Sequence, residues 1–401
     1  MNAYDTKAMA EATRLTREGR LQEATALLLG RGTAASGPAE ASDAAAAANG
    51  AIGLAALPPP PRAHARDTRN AAKTSRATGA HIPQALRGML DRIAPPLARG
   101  LRGGNGLREA RTPAPPPGGA RFEQRSFANA AGSRSYKLYV PGNLPDAPVP
   151  LVVMLHGCTQ SPDDFAAGTG MNALADELGI LVAYPAQDAA ANPQRCWNWF
   201  NANDQQRDRG EAALIAGITR EVMGEFAVDP ARVYVAGLSA GGAAAAIMGA
   251  AYPDLYAAIG VHSGLACGAA RDMPSAFAAM RNGGVSTARV DATMPAVPTI
   301  VFHGDRDATV SAVNGEHVIA QSKAAAQLHT TTSRGESVGG VAYTRSEQAD
   351  ADGLVVLEHW VLHGAGHAWS GGSAAGSYTD PRGPDASREM LRFFLQHRLR
   401  S

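Results

Sequence analysis

From Tyr136 onward the chain alternates short apolar runs with longer stretches of helical period. Residues 136–140, 151–155, 180–184, 233–236, 259–261, 299–302 and 359–362 are near-continuous apolar runs, the pattern of strands buried on both faces. Between them, 171–178, 212–226, 240–251, 317–328 and 387–398 carry apolar residues at helical spacing. The alternation predicts an α/β fold: a mostly parallel sheet covered on both faces, with its chemistry in the loops at the carboxyl ends of the strands.

The first part of the chain reads differently. Over residues 5–29, Met9, Leu15, Leu21, Ala24, Leu27 and Leu28 fall on one face with Gly19 near a turn, which predicts a small helical hairpin unable to bury a core alone. Ala, Gly, Pro and Arg then dominate, with prolines at 58–61 and 115–117, the composition of a linker or disorder. One island, Ile82, Leu86, Met89, Leu90 and Ile93 among Arg87, Arg92 and Arg99, reads as a transient helix. The expected organisation is a hairpin over 1–30, a linker over 31–117 and an α/β catalytic domain over 118–401.

Charge adds one distinction. The net charge is +1, which gives no reason to expect a nucleic acid partner, but residues 62–111 hold eleven Lys and Arg against three Asp and Glu. That is a basic, solvated segment attached to an acidic body. The start, Met1-Asn2-Ala3-Tyr4-Asp5, lacks the pattern of a secretory signal, and no run of eighteen apolar residues suggests a membrane span, so the chain reads as cytoplasmic.

The chemistry concentrates in four segments. Gly237-Leu238-Ser239-Ala240-Gly241, between an apolar strand and an Ala-rich helix, has the form of a nucleophile elbow of the α/β-hydrolase fold. A serine there needs a base and an acid, which follow it in that fold in the order Ser, acid, His. In His303-Gly304-Asp305-Arg306-Asp307, Asp305 lies against the strand end and Asp307 is placed to reach across. In His363-Gly364-Ala365-Gly366-His367-Ala368-Trp369, His367 sits farther out between small neighbours, and His363 reads as structural. His262, His303, His317 and His359 read as ordinary packing or surface. Two backbone N–H groups would hold the oxyanion, one from Ala240 and one from Cys158 in His156-Gly157-Cys158-Thr159-Gln160. No metal or organic cofactor is needed for this chemistry.

Three cysteines occur, and Cys196 sits beside Trp197, Trp199 and Phe200. Spacing alone leaves open whether Cys158 and Cys196 are bonded or are two buried thiols. Trp199 and Trp369, next to the proposed active loops, are candidates for an apolar substrate wall.

Gly157-Cys158-Thr159-Gln160, Cys196-Trp197-Asn198-Trp199-Phe200, the run from Asp229 through Gly242 and Gly366-His367-Ala368-Trp369 together resemble the polyhydroxybutyrate depolymerase family of esterases, over about residues 120–401. The resemblance implies Ser239, Asp307 and His367 as a triad, an oxyanion hole at Cys158 and Ala240, and a Cys158 to Cys196 disulfide. It implies ester hydrolysis, with poly(3-hydroxybutyrate) or short hydroxyalkanoate esters as substrate and feruloyl or acetylxylan esters as the alternative. Many members are extracellular, which sets an alternative to the cytoplasmic reading, and the N-terminal region would be suited to associate with a polymer granule. From other classes, a noncatalytic binding protein on a hydrolase scaffold and a partner-binding role for residues 1–117 remain as competing expectations.

Overall fold

In the computed structural model of the protein, residues 117–284, 286, 297–323 and 327–399 are described. The hairpin, linker and helical island expected before residue 117 lie outside them. A ten-stranded sheet is built from β1 (Arg121–Asn129), β2 (Gly132–Val140), β3 (Val149–Leu155), β4 (Leu181–Pro185), β5 (Val228–Leu238), β6 (Ala258–His262), β7 (Thr299–Gly304), β8 (His329–Glu336), β9 (Ala342–Ala349) and β10 (Val355–Leu362). Their order is β1-β2-β4-β3-β5-β6-β7-β10-β9-β8. The six central strands from β4 to β10 run parallel, while β1 and β2 on one side and β9 and β8 on the other are antiparallel.

Alternate residues of each central strand feed two cores. Leu151, Val153 and Leu155 of β3 and Val233 and Val235 of β5 face one core. It is closed by α3 (Gly210–Glu225), α4 (Ala240–Ala251), α5 (Met273–Asn282) and α6 (Val313–Ser322). Val152 and Met154 of β3 with Tyr234 and Ala236 of β5 face the other, under α1 (Pro162–Thr169), α2 (Met171–Leu178) and α7 (Ala386–Phe394). Because both faces are covered, the strands are apolar throughout rather than alternating, which is why the sequence marked them.

Some boundaries differ from expectation. The helix expected over 317–328 spans Val313–Ser322; Asn314 and Gly315 in its first turn are buried, so docking begins before the apolar residues do. The last helix begins at Ala386 and ends at Phe394, four residues short of Arg398, with Asp385 capping its first turn by accepting the N–H of Arg388. Among the described residues no helix is long and apolar enough to cross a membrane.

Candidate active site

β5 ends at Leu238 and α4 begins at Ala240, so Ser239 alone makes the turn, with φ 59° and ψ −119°. A non-glycine residue rarely adopts this backbone, and it persists only where its surroundings enforce it. The enforcement is local. The N–H of Ser239 donates to the carbonyl of His262 at 2.9 Å, and its own carbonyl accepts the N–H of Ala243 at 2.9 Å. The elbow is pressed against the end of β3: a methyl group on Gly241 would lie 2.0 Å from the Leu155 carbonyl oxygen, and one on Gly237 would lie 2.4 Å from the Gly241 carbonyl. Both flanking glycines are therefore demanded by contact.

The loop after β3 lies beside the elbow; a methyl on Gly157 would come within 3.6 Å of Ser239 Cβ. Its backbone donors are almost all engaged. Gly157 N–H donates to Gln160 Oε1 at 2.9 Å, Thr159 N–H to the Gln194 carbonyl at 2.7 Å and Gln160 N–H to the Gly157 carbonyl at 3.3 Å. Among the described residues the N–H groups of Cys158 and Ala240 have no acceptor in the protein. A disulfide joins Cys158 to Cys196. His156 anchors the start of the loop: Nδ1–H donates to the Gly157 carbonyl, Nε2 accepts the Gln187 N–H at 3.0 Å, and the His156 carbonyl accepts the Trp197 indole N–H at 3.0 Å. Burial holds this imidazole neutral, its pKa lowered to about 4.

Glu211, buried at the start of α3, holds the partner segment. Its carboxylate accepts the Asn198 N–H at 2.7 Å, the Asn198 side-chain amide at 2.7 Å and the Gln187 amide. Gln187 in turn donates to the Cys196 carbonyl at 2.8 Å. Burial raises the Glu211 pKa despite these bonds.

The two aspartates after β7 take different histidines. Asp307 Oδ2 accepts His367 Nδ1–H at 2.7 Å, and Oδ1 accepts the N–H groups of Thr309 and Val310, each at 2.9 Å. His303 Nε2 lies 3.5 Å from Asp307 Oδ2 while bonded to the Val310 carbonyl. Burial alone would raise the Asp307 pKa; the bonds from His303, His367 and Val310 outweigh it and hold the carboxyl well below the usual range. Asp305 instead accepts His363 Nδ1–H at 3.0 Å, and the Thr344 hydroxyl bonds His363 Nε2 at 2.8 Å, in a half-exposed position. Bonding Nδ1 of His367 to Asp307 leaves its Nε2 as the nitrogen able to take a proton. The Ser239 hydroxyl makes no hydrogen bond among the described residues, to His367 or to any other group.

Trp199 and Trp369 are core residues. Trp369 is 1% exposed; its indole N–H donates to Ser387 Oγ at 3.0 Å, and its ring packs on His262 and edge-on against Phe165. Trp199 is 7% exposed and packs edge-on against Phe200. They underlie the active loops instead of forming an open wall. Sequence reasoning gave no site role to His156, Gln187 and Glu211 and read His262 only as ordinary packing or surface, because their partners lie elsewhere in the chain. Burial was the missing signal.

The α/β-hydrolase arrangement is shared with an acetyl xylan esterase from Aspergillus awamori, at a TM-score of 0.54 and 20% identity, over 69% of this chain and 99% of that one. Poly(3-hydroxyalkanoate) depolymerase C of Paucimonas lemoignei is 31% identical over 252 residues, which are 60% of each chain. Feruloyl esterase B of Thermothelomyces thermophilus is 33% identical over 140 residues, 35% of this chain and 47% of that enzyme. The match thus spans about three fifths of the depolymerase and half of the feruloyl esterase. Residues 134–339, which hold the elbow, the disulfide and Asp307, match the family model described as esterase PHB depolymerase, and the chain belongs to that family.

Proposed function

We propose that the chain is a serine esterase that cleaves poly(3-hydroxybutyrate) or short hydroxyalkanoate esters through an acyl-enzyme. Ser239 is the nucleophile. His367 takes its proton at Nε2, and Asp307 fixes the tautomer at Nδ1 and stabilises the imidazolium. As the hydroxyl oxygen attacks the ester carbonyl, the developing oxyanion is received by the N–H groups of Cys158 and Ala240. The protonated His367 delivers its proton to the leaving alkoxide, then activates water to release the acid and restore Ser239.

The observation that carries this reading is the pair of N–H groups, Cys158 and Ala240, that have no acceptor among the described residues, beside a serine held in a strained turn. Each such donor is worth about 3–4 kcal/mol of transition-state stabilisation. Similarity to a feruloyl esterase favours a second reading with the same machinery, in which the acyl group is aromatic. Granule association through residues 1–117 is a further part of the proposal.

The test is release of 3-hydroxybutyrate from amorphous polymer granules and from a soluble short-chain ester, with ferulate release in parallel, for wild type and Ser239→Ala. Serine-dependent hydroxybutyrate release is expected. Ferulate release alone would move the substrate to the second reading. Activity that survives Ser239→Ala would overturn the mechanism. Deleting residues 1–117 is expected to weaken granule association; unchanged association would remove that part.

A further inference from the structure

β6 lies between the strand that leads to Ser239 and the strand that leads to Asp307, yet supplies no member of the proposed triad. Its last residue, His262, is fully buried and touches both sides of the site. Its backbone carbonyl accepts the Ser239 N–H at 2.9 Å. Its ring nitrogen Nε2 accepts the N–H of Ser370 at 3.0 Å, which places the ring proton on Nδ1, 3.1 Å from Ser263 Oγ. The ring stacks on Phe302 at 5.8 Å and on Trp369 at 5.1 Å.

From these contacts we infer that His262 is a positioning residue that sets the nucleophile elbow and the loop of the base in register, holding Ser239 through its carbonyl and Ser370 through Nε2. Ser370 is three residues beyond His367, and the residue between them in contact with His262, Trp369, is packed on the same ring. A shift of Ser370 is therefore transmitted to His367. An apolar ring would keep the stacking but leave a buried N–H without an acceptor, so the chemistry at this position calls for an acceptor deep under the loop. The role rests on the esterase reading above, since it acts through Ser239 and His367.

Two substitutions in the full chain separate the ring's two nitrogens. His262→Gln puts an amide group where Nε2 lies and can still accept from Ser370, whereas His262→Asn reaches only the Nδ1 position. With a soluble short-chain ester, His262→Gln is expected to keep kcat within about threefold of wild type, with KM and cooperative melting retained. His262→Asn is expected to lose about 10²-fold in kcat with little change in KM, the effect of a catalytic group displaced by about an ångström. The rate at which a fluorophosphonate labels Ser239 should fall in parallel. Equal kcat in two folded variants, or a loss carried by KM, overturns the role. If His262→Asn does not fold, His262→Gln decides alone: a folded variant that has lost activity overturns it. A wild type inactive on every ester, or active without Ser239, overturns the esterase reading and this role with it.

Discussion

His367 Nδ1 stands 2.7 Å from Asp307 Oδ2. Four residues earlier His363 makes a similar bond to Asp305, so the same two loops carry two Asp–His pairs that differ in burial. The buried pair adjoins a second histidine of the site, His303, whose Nε2 lies 3.5 Å from Asp307 Oδ2. Replacing Asp307 by Asn is expected to lower kcat by roughly 10³- to 10⁴-fold by losing the tautomer control of His367. Asp305→Asn is expected to leave kcat near wild type. Steady-state kinetics on one soluble ester decide the matter, and a reversed order of the two losses would reassign the acid.

The disulfide reaches the site through Cys158 itself. Cys196→Ala frees the loop while leaving the Cys158 N–H in place, and is expected to cost about 2–4 kcal/mol of stability by the loop-entropy argument. A fall in kcat larger than any rise in KM is expected with it, because the proposed oxyanion donor would act in the transition state. Melting curves and kinetics on the same preparation check both. An unchanged kcat would mean that the Thr159 to Gln194 bond and the Gln160 side chain hold the loop unaided.

Four buried histidines give the fold an acid sensitivity. Burial, the largest influence on each, lowers His156, His359 and His397 to about 4 and His262 to about 3, from an ordinary 6.5. As pH falls below 6.5 the unfolded chain takes up these protons and the native chain does not, so the contribution is complete above 6.5 and is lost between there and about 4, or about 3 for His262. Asp204 and Glu211, raised by burial, act in the opposite direction but are two against four. The melting temperature is expected to fall from pH 7 to pH 4.5, each neutral histidine contributing up to about 1.4 kcal/mol per pH unit. A flat profile would mean that these rings protonate within the native state.

How much of this was legible in the sequence depended on the source of the signal. The central strands and the elbow announce themselves through apolar runs and through glycines that close contact requires. The outer strands β1, β8 and β9 were missed because they are largely polar: β8 reads His-Thr-Thr-Thr-Ser-Arg-Gly-Glu and has no apolar face. α1 had a readable start in Ser161, whose side chain caps Asp164, followed by Pro162 and two aspartates, but its apolar content is slight. The residues that hold the site in place were the hardest to find. Glu211 meets Asn198 and Gln187 from 13 and 24 positions away, and His262 meets Ser370 from 108. No period or motif connects such positions; only the folded chain does.

The polar margin at β8 bears on how copies of this protein behave toward one another. Among the described residues the strand is the outermost of its sheet and pairs on one side only, with β9. An open margin is where a second molecule would add a strand and begin a growing aggregate. Thr330, Thr331, Thr332, Ser333, Arg334 and Glu336 are all exposed there, so such an addition would bury little hydrocarbon and would crowd solvated charges. Side-chain choice along this strand is therefore expected to disfavour edge-to-edge growth of the sheet between copies.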